Sequence, residues 1–168
     1  MTLELLYEKY AKQVYNLALQ YVQNTNDAEE ITQDVFLAAH KSLDKFRNEA
    51  NHGTWLYRIT INKSLDFLKA KKRKKRFFWF TGELTENDSV EFNHPGVLIE
   101  HQEETAFIFS CINELPDNQK TALILNKIEQ LSLTEIAGIM ELSAKAVESL
   151  VQRAKTNLSK KIDAGEGS

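Results

Sequence analysis

The chain has 168 residues, 42% of them hydrophobic and 27% charged, with 6 Gly and 2 Pro. That length holds one large domain or two small ones around a real core, and so little Gly and Pro excludes collagen-like, disordered and turn-rich all-β architectures. The formal charge of −3 announces no nucleic-acid binder, yet residues 1–76 carry 14 Lys/Arg against 9 Asp/Glu, residues 77–104 none against 7, and residues 105–168 carry 7 against 8. Cys111 is the single cysteine, so no intrachain disulfide forms, and its run Ala106–Ile112 reads it as a small buried hydrophobe. The N-terminus is acidic where a signal peptide is basic, and no apolar run nears the roughly 18 residues of a membrane span. A cytoplasmic protein without membrane insertion is expected.

Leu3, Leu6, Tyr7, Tyr10, Val14, Leu17, Ala18 and Tyr21 recur at three- and four-residue steps, the pattern of an amphipathic helix that Asn24-Thr25-Asn26 ends. A second helix is expected from Asn26 or Asp27 to about Phe46, with Glu29 and Glu30 in its first turn, where acid suits the helix dipole. The polar stretch Arg47–Gly53 reads as a loop. Thr54 is expected to cap a third helix that runs into Lys69–Arg76, where 7 of 8 residues are Lys or Arg. Residues 77–104 have linker composition, and the cluster Phe77-Phe78-Trp79-Phe80 is expected to fold back on the first domain as a flap, because four solvated rings are a solubility liability.

A second helical unit starts near Glu103. One helix ends at Leu115-Pro116, and the next spans about Asp117 to Glu129. Ser132-Leu133-Thr134-Glu135 fits a capping box for a short helix to Met140, and Ser143 caps a longer one. Ala137 lets these two helices cross closely along a seam of Ile136, Ile139, Leu142, Val147 and Val151. Residues 163–168 read as a disordered tail. The expected fold class is all-α: residues 1–76, an acidic linker 77–104, and a helix-turn-helix domain 105–162.

Enzyme chemistry finds no support. His40, His52, His94 and His101 are scattered, without metal-ligand spacing, and there is no GxxxxGK[ST] or GxGxxG phosphate loop. No catalytic residue, metal or cofactor is expected. The acids Asp27, Glu29, Glu30 and Asp34 read as a solvated or partner-binding face. Nucleic-acid binding has two independent supports. One is the helix-turn-helix pair. The other is Trp55–Lys63 leading into the basic run, where cations track phosphates, rings stack on bases and an amide reads a base edge. Asn62 follows Trp55 by seven positions, so both lie on nearly one side of the helix.

With these segments in order, the chain resembles an extracytoplasmic-function (ECF) sigma factor over nearly its whole length. Asp27–Leu37 is similar to the family's second helix of domain 2, and Leu43–Arg47 followed by Thr54–Ile59 to its promoter-melting segment. Leu115-Pro116, Leu131–Ala137 and Ala146–Lys155 are similar to domain 4. The turn Glu141-Leu142-Ser143 lacks the family's frequent Gly, and Glu148 and Leu150 stand where basic residues are common, so base preferences upstream do not carry over.

The resemblance implies a non-enzymatic factor that binds core RNA polymerase, with Glu30, Gln33 and Asp34 on the β′ clamp helices and domain 4 at the β flap. It implies minus-ten recognition and melting by Arg47, Asn48, Asn51, His52, Trp55, Tyr57, Arg58, Asn62 and Lys63, with a flipped base received by the Arg47–His52 loop. Ser143, Lys145, Glu148, Ser149, Gln152, Arg153 and Lys155 would meet minus-thirty-five DNA. An anti-sigma partner is expected, as is a monomer when free. A stand-alone helix-turn-helix regulator of duplex DNA explains residues 105–161 equally well, but not Thr54–Ile59 with Asn62 beside a basic run. A protein-binding helical adaptor leaves both basic helices unexplained.

Overall fold

A computed structural model describes residues 1–46, 50–82 and 92–166, and every regular element among them is helical. In the N-terminal unit, α1 (Leu3–Val22) is capped by Thr2, whose hydroxyl accepts from Leu5 N–H. Gln23 enters the left-handed region at φ 48° and ends it. Asn24 caps α2 (Thr25–Ser42) by accepting from Asp27 N–H at 3.0 Å, and a 3-10 turn covers Leu43–Lys45. The cap of α3 (His52–Thr81) is Asn51 rather than Thr54: its extended backbone aims Oδ1 at Thr54 N–H, 2.7 Å away. Leu6, Leu17, Ile31, Val35 and Leu56 fill the space between the three helices with no exposed surface beyond 1%.

The last ten residues of α3 correct the expected flap. The helix runs on through the aromatic cluster to Gly82, which takes φ 72° and closes it on the Phe78 carbonyl. Lys and Arg are good helix formers and nothing breaks the run before Gly82. Phe77, Trp79 and Phe80 are therefore 62%, 75% and 83% exposed instead of folded back.

The chain re-enters the described structure at Phe92. Asn93 N–H donates to Gln23 O at 2.8 Å, and His94 stacks on Phe92 and Phe109 while its Nε2 lies 3.1 Å from Gln20 Oε1. A 3-10 turn (Ile99–His101) leads into α4 (Gln102–Asn113), in which Cys111 is buried as expected. α5 (Asp117–Leu123) continues as a π-helical turn, Ile124–Ile128, where one uniform helix to Glu129 is expected. The widened turn leaves Asn126 free to donate to Leu131 O at 3.1 Å, and Gln130 turns the chain at φ 59°.

α6 (Leu133–Met140) and α7 (Ala144–Glu166) form the helix-turn-helix. Ser132 Oγ accepts from Glu135 N–H and donates to the Glu135 carboxylate, each at 3.1 Å, so the carboxylate braces the cap itself. Glu141 takes the left-handed position at φ 57° that Gly often fills, and Ser143 Oγ accepts from Ala146 N–H. Ile136, Ile139, Val147 and Val151 are buried in the seam. Leu142, expected among them, is 39% exposed because the Glu141 turn swings it outward. The expected disordered tail is corrected for residues 163–166, which continue α7. Gly165 passes the Phe107 ring so closely that a Cβ there would collide with it. Gly167 and Ser168 lie outside the described residues.

The two units are clasped. Tyr21 Oη and Thr121 Oγ1 share a buried hydrogen bond of 2.7 Å, Asn113 Nδ2 donates to Gln23 Oε1 at 3.1 Å, and Lys69 pairs with Asp117 at 3.4 Å. Arg58 reaches from α3 to the end of α6.

Candidate nucleic-acid interface

Helical periodicity in α2 buries Ala28, Ile31, Val35 and Ala39 and turns Glu29, Glu30, Gln33 and Asp34 outward. Asp27 is not part of that face, since Lys71 of α3 holds its carboxylate at 2.9 Å. Beside the outward face an open hollow of about 430 Å³ is lined by Tyr7, Ala11, Lys12, Tyr15, Glu29, Thr32 and Gln33. Tyr7 and Leu37, at 53% and 58% exposure, add apolar surface to this polar patch. The sequence reading missed both, because each continues a hydrophobic stripe whose neighbours are buried.

The expected minus-ten residues divide between two faces of α3. Phe46 packs at a tilt against His52 and Trp55, with ring centroids 4.6 and 4.8 Å apart, and so joins them in an aromatic platform that the local sequence pattern does not signal. Asn62 is exposed and Lys63 half-buried two turns further along. Asn51 is exposed, and its side chain is spent on the cap. Arg47 and Asn48 lie outside the described residues. Tyr57 and Arg58 follow Trp55 by about 200° and 300° of helical rotation and face the C-terminal unit instead. Arg58 Nε donates to Ile139 O at 3.0 Å and Nη2 to Gly138 O at 2.6 Å, with Nη1 3.7 Å from the Glu141 carboxylate. A cation thus covers carbonyls that the end of α6 leaves without intrahelical partners. Burial, with Glu129 and Glu135 adding negative charge, pushes the Tyr57 phenol up to about 12.

Ser143, which caps α7, and Lys145, Glu148, Ser149, Gln152, Arg153 and Lys155 along it are all exposed, whereas Val147, Val151 and Ala154 are buried. Lys127, from the π-helical turn, stands beside Lys155 and holds its ammonium below the usual lysine range. Two ammonium groups that repel in the free chain suit a shared phosphate oxygen. Only the tertiary structure brings Lys127 to this face, as it lies 28 positions away in the chain. Among the described residues, no three His, Cys, Asp or Glu side chains gather as a metal site, and no helix is long and apolar enough to cross a membrane.

Two family models match the two units: Sigma-70 region 2 over residues 6–74 and Sigma-70 region 4 over residues 108–158. The ECF RNA polymerase sigma-E factor of Haemophilus influenzae is 32% identical over 163 residues, covering 94% of this chain and 86% of that protein. The chain belongs to the ECF sigma factor family. The RNA polymerase sigma-H factor of Pseudomonas aeruginosa is 30% identical over 94% of this sigma factor and 84% of its own length. CnrH, solved in complex with the cytosolic domain of CnrY, is 25% identical with a TM-score of 0.66, covering 96% of this chain and 88% of that one. RpoE of Bartonella quintana, at 20% identity, a TM-score of 0.64 and 94% coverage of both chains, shares the fold. The sigma factor therefore carries a polymerase-binding and DNA-binding family architecture in its two helical units.

Proposed function

We propose that this sigma factor binds core RNA polymerase and directs promoter-specific initiation, with residues 1–76 as domain 2, 77–104 as the linker and 105–162 as domain 4. Glu30, Gln33 and Asp34 face the β′ clamp helices, where a carboxylate–amide cluster suits arginine-bearing partners. Domain 4 sits at the β flap and lays the first turns of α7 in the major groove of the minus-thirty-five element. The Phe46–His52–Trp55 platform and Asn62 border the loop that receives a base flipped from the minus-ten element, and stacking there offsets the cost of unstacking. The acidic linker follows the path of nucleic acid through the polymerase. The observation that carries this reading is the α7 face: six polar residues and the Ser143 cap exposed together on a helix whose other side is core.

In this arrangement Tyr57 and Arg58 serve the clasp, and they reach promoter DNA only after the two units part. The factor works in the cytoplasm, is a monomer when free, and is held by an anti-sigma partner. The complex of CnrH with the cytosolic domain of CnrY is a precedent for a bound partner on this fold.

Core-polymerase binding and transcription in vitro test the proposal. Gln33→Ala with Asp34→Arg lowers affinity for core polymerase about tenfold or more with helicity unchanged, because both side chains are exposed and leave the core intact. Unchanged affinity with normal helicity overturns it.

A further inference from the structure

Beyond Lys71, α3 leaves the body of the molecule. Residues 72–77, 79 and 80 are exposed and Phe78 is half-buried, so the last ten residues, 72–81, form an arm about 15 Å long. Its chemistry is layered along the axis. Lys72, Arg73, Lys74, Lys75 and Arg76 form a collar of five cations, and four consecutive rings follow at the tip. Successive residues turn by about 100°, so the rings surround the helix end rather than lining one side. Phe77, Trp79 and Phe80 are the three most exposed aromatics of the described chain. The sequence between Asp66 and Glu83 holds no acid, so the collar has no partner within its own stretch of helix. An open hollow of about 690 Å³, lined by Asp66, Lys69, Ala70, Lys72, Arg73 and Arg76, runs along the same helix.

We propose that this arm is a peripheral membrane contact for an anionic phospholipid bilayer. The rings enter the boundary between headgroups and acyl chains, where aromatic side chains partition favourably. The collar lies one to two turns behind them, at the depth of the phosphates, and is drawn by the negative surface potential. The contact is interfacial and reversible, in keeping with the absence of a helix able to span a bilayer among the described residues. Single-stranded nucleic acid fits the arm less well. Stacking on a strand needs rings in file along a groove, whereas these radiate from an end about 25 Å along α3 from Asn62.

Vesicle flotation of the full chain tests this, using phosphatidylcholine alone and phosphatidylcholine with roughly a third phosphatidylglycerol. Wild type floats with the anionic vesicles, not with the neutral ones, and salt releases it. The triple variant Phe77→Ser, Trp79→Ser, Phe80→Ser binds about tenfold more weakly or worse, and Trp79→Ser alone binds measurably more weakly. Charge neutralisation of Lys72–Arg76 to Gln abolishes binding. Melting curves of the aromatic variants match wild type, since the rings lie outside both cores. Wild type that stays in the aqueous fraction with anionic vesicles overturns the proposal, as does either aromatic variant floating like wild type. If the aromatic variants instead lose affinity for a single-stranded oligonucleotide and keep vesicle binding, the arm is a nucleic-acid contact and the proposal is wrong.

Discussion

Tyr57 and Arg58 are neighbours in sequence that meet the C-terminal unit by different chemistry. Arg58 donates to carbonyls at 3.0 and 2.6 Å, so the exchange of water for protein acceptors costs it little. The Tyr57 phenol is packed near Glu129 and Glu135, and its anion would be both desolvated and repelled. Glu129 itself is pushed above the usual carboxylate range by burial. The folded chain therefore holds the Tyr57 proton up to about 12, while the unfolded chain releases it near 10. Above pH 10 the native state binds more protons than the unfolded state, so stability falls as pH rises from about 10 to about 12. Tyr57→Phe removes that contribution and makes the alkaline slope shallower, while the Tyr21 phenol, also raised by burial, keeps its own share. Urea titrations of both proteins across this window check it, and identical slopes refute it.

At the scale of elements, α6 is eight residues long, too short to be helical on its own, so its stability comes from its cap and from packing on α7. Ile136 has no exposed surface and is the anchor of the seam, whereas the Ser132 cap is at the exposed N-terminal end. Ile136→Ala is expected to cost about 2–5 kcal/mol from lost burial and the cavity left behind. Ser132→Ala costs about 1 kcal/mol. Equilibrium unfolding ranks the two, and a Ser132 variant that proves the less stable contradicts the packing described. In α3 the same logic runs the other way. Lys71 is tied to Asp27 at 2.9 Å, and past it the helix stands on local propensity and the Gly82 cap.

For the molecule as a whole, the clasp joins the three-helix N-terminal unit to the C-terminal unit that carries the helix-turn-helix. Its polar links are one buried hydroxyl pair, one amide pair, one exposed ion pair and the Arg58 contacts, and they stand beside apolar contact, since the buried side chains of the two units form one cluster against which Tyr57 packs. Polar links between domains exchange readily for water, so their loss favours opening. Arg58→Ala with Tyr21→Phe removes the strongest links at both ends while leaving each unit's core in place. The double variant is expected to show a larger radius of gyration by small-angle scattering at unchanged helicity. A scattering profile that superposes on wild type means the units are held by something else.

Periodicity and turn chemistry alone determine most of the elements. The apolar steps of Leu6–Tyr21, the hydroxyls of Ser132 and Ser143 and the order of segments carry the all-α class and the family resemblance, because these signals act within a turn or two of helix. The outward positions of Gln33, Asp34 and the α7 face follow from the same period. The shared clasp of Arg58 with Gly138 and Ile139, 80 and 81 positions apart, and of Tyr21 with Thr121, 100 apart, leaves no trace in any local pattern. Nor does the approach of Lys127 to Lys155, which needs the π-helical turn and the crossing of α7 to exist first. The Phe77–Phe80 cluster errs in the opposite direction. Its hydrophobicity argues for burial, but burial requires a groove within reach, and the tertiary structure carries the helix end away from both cores. Local free energy chooses the helices, and only the packing of distant faces decides which of their polar residues remain available to a partner.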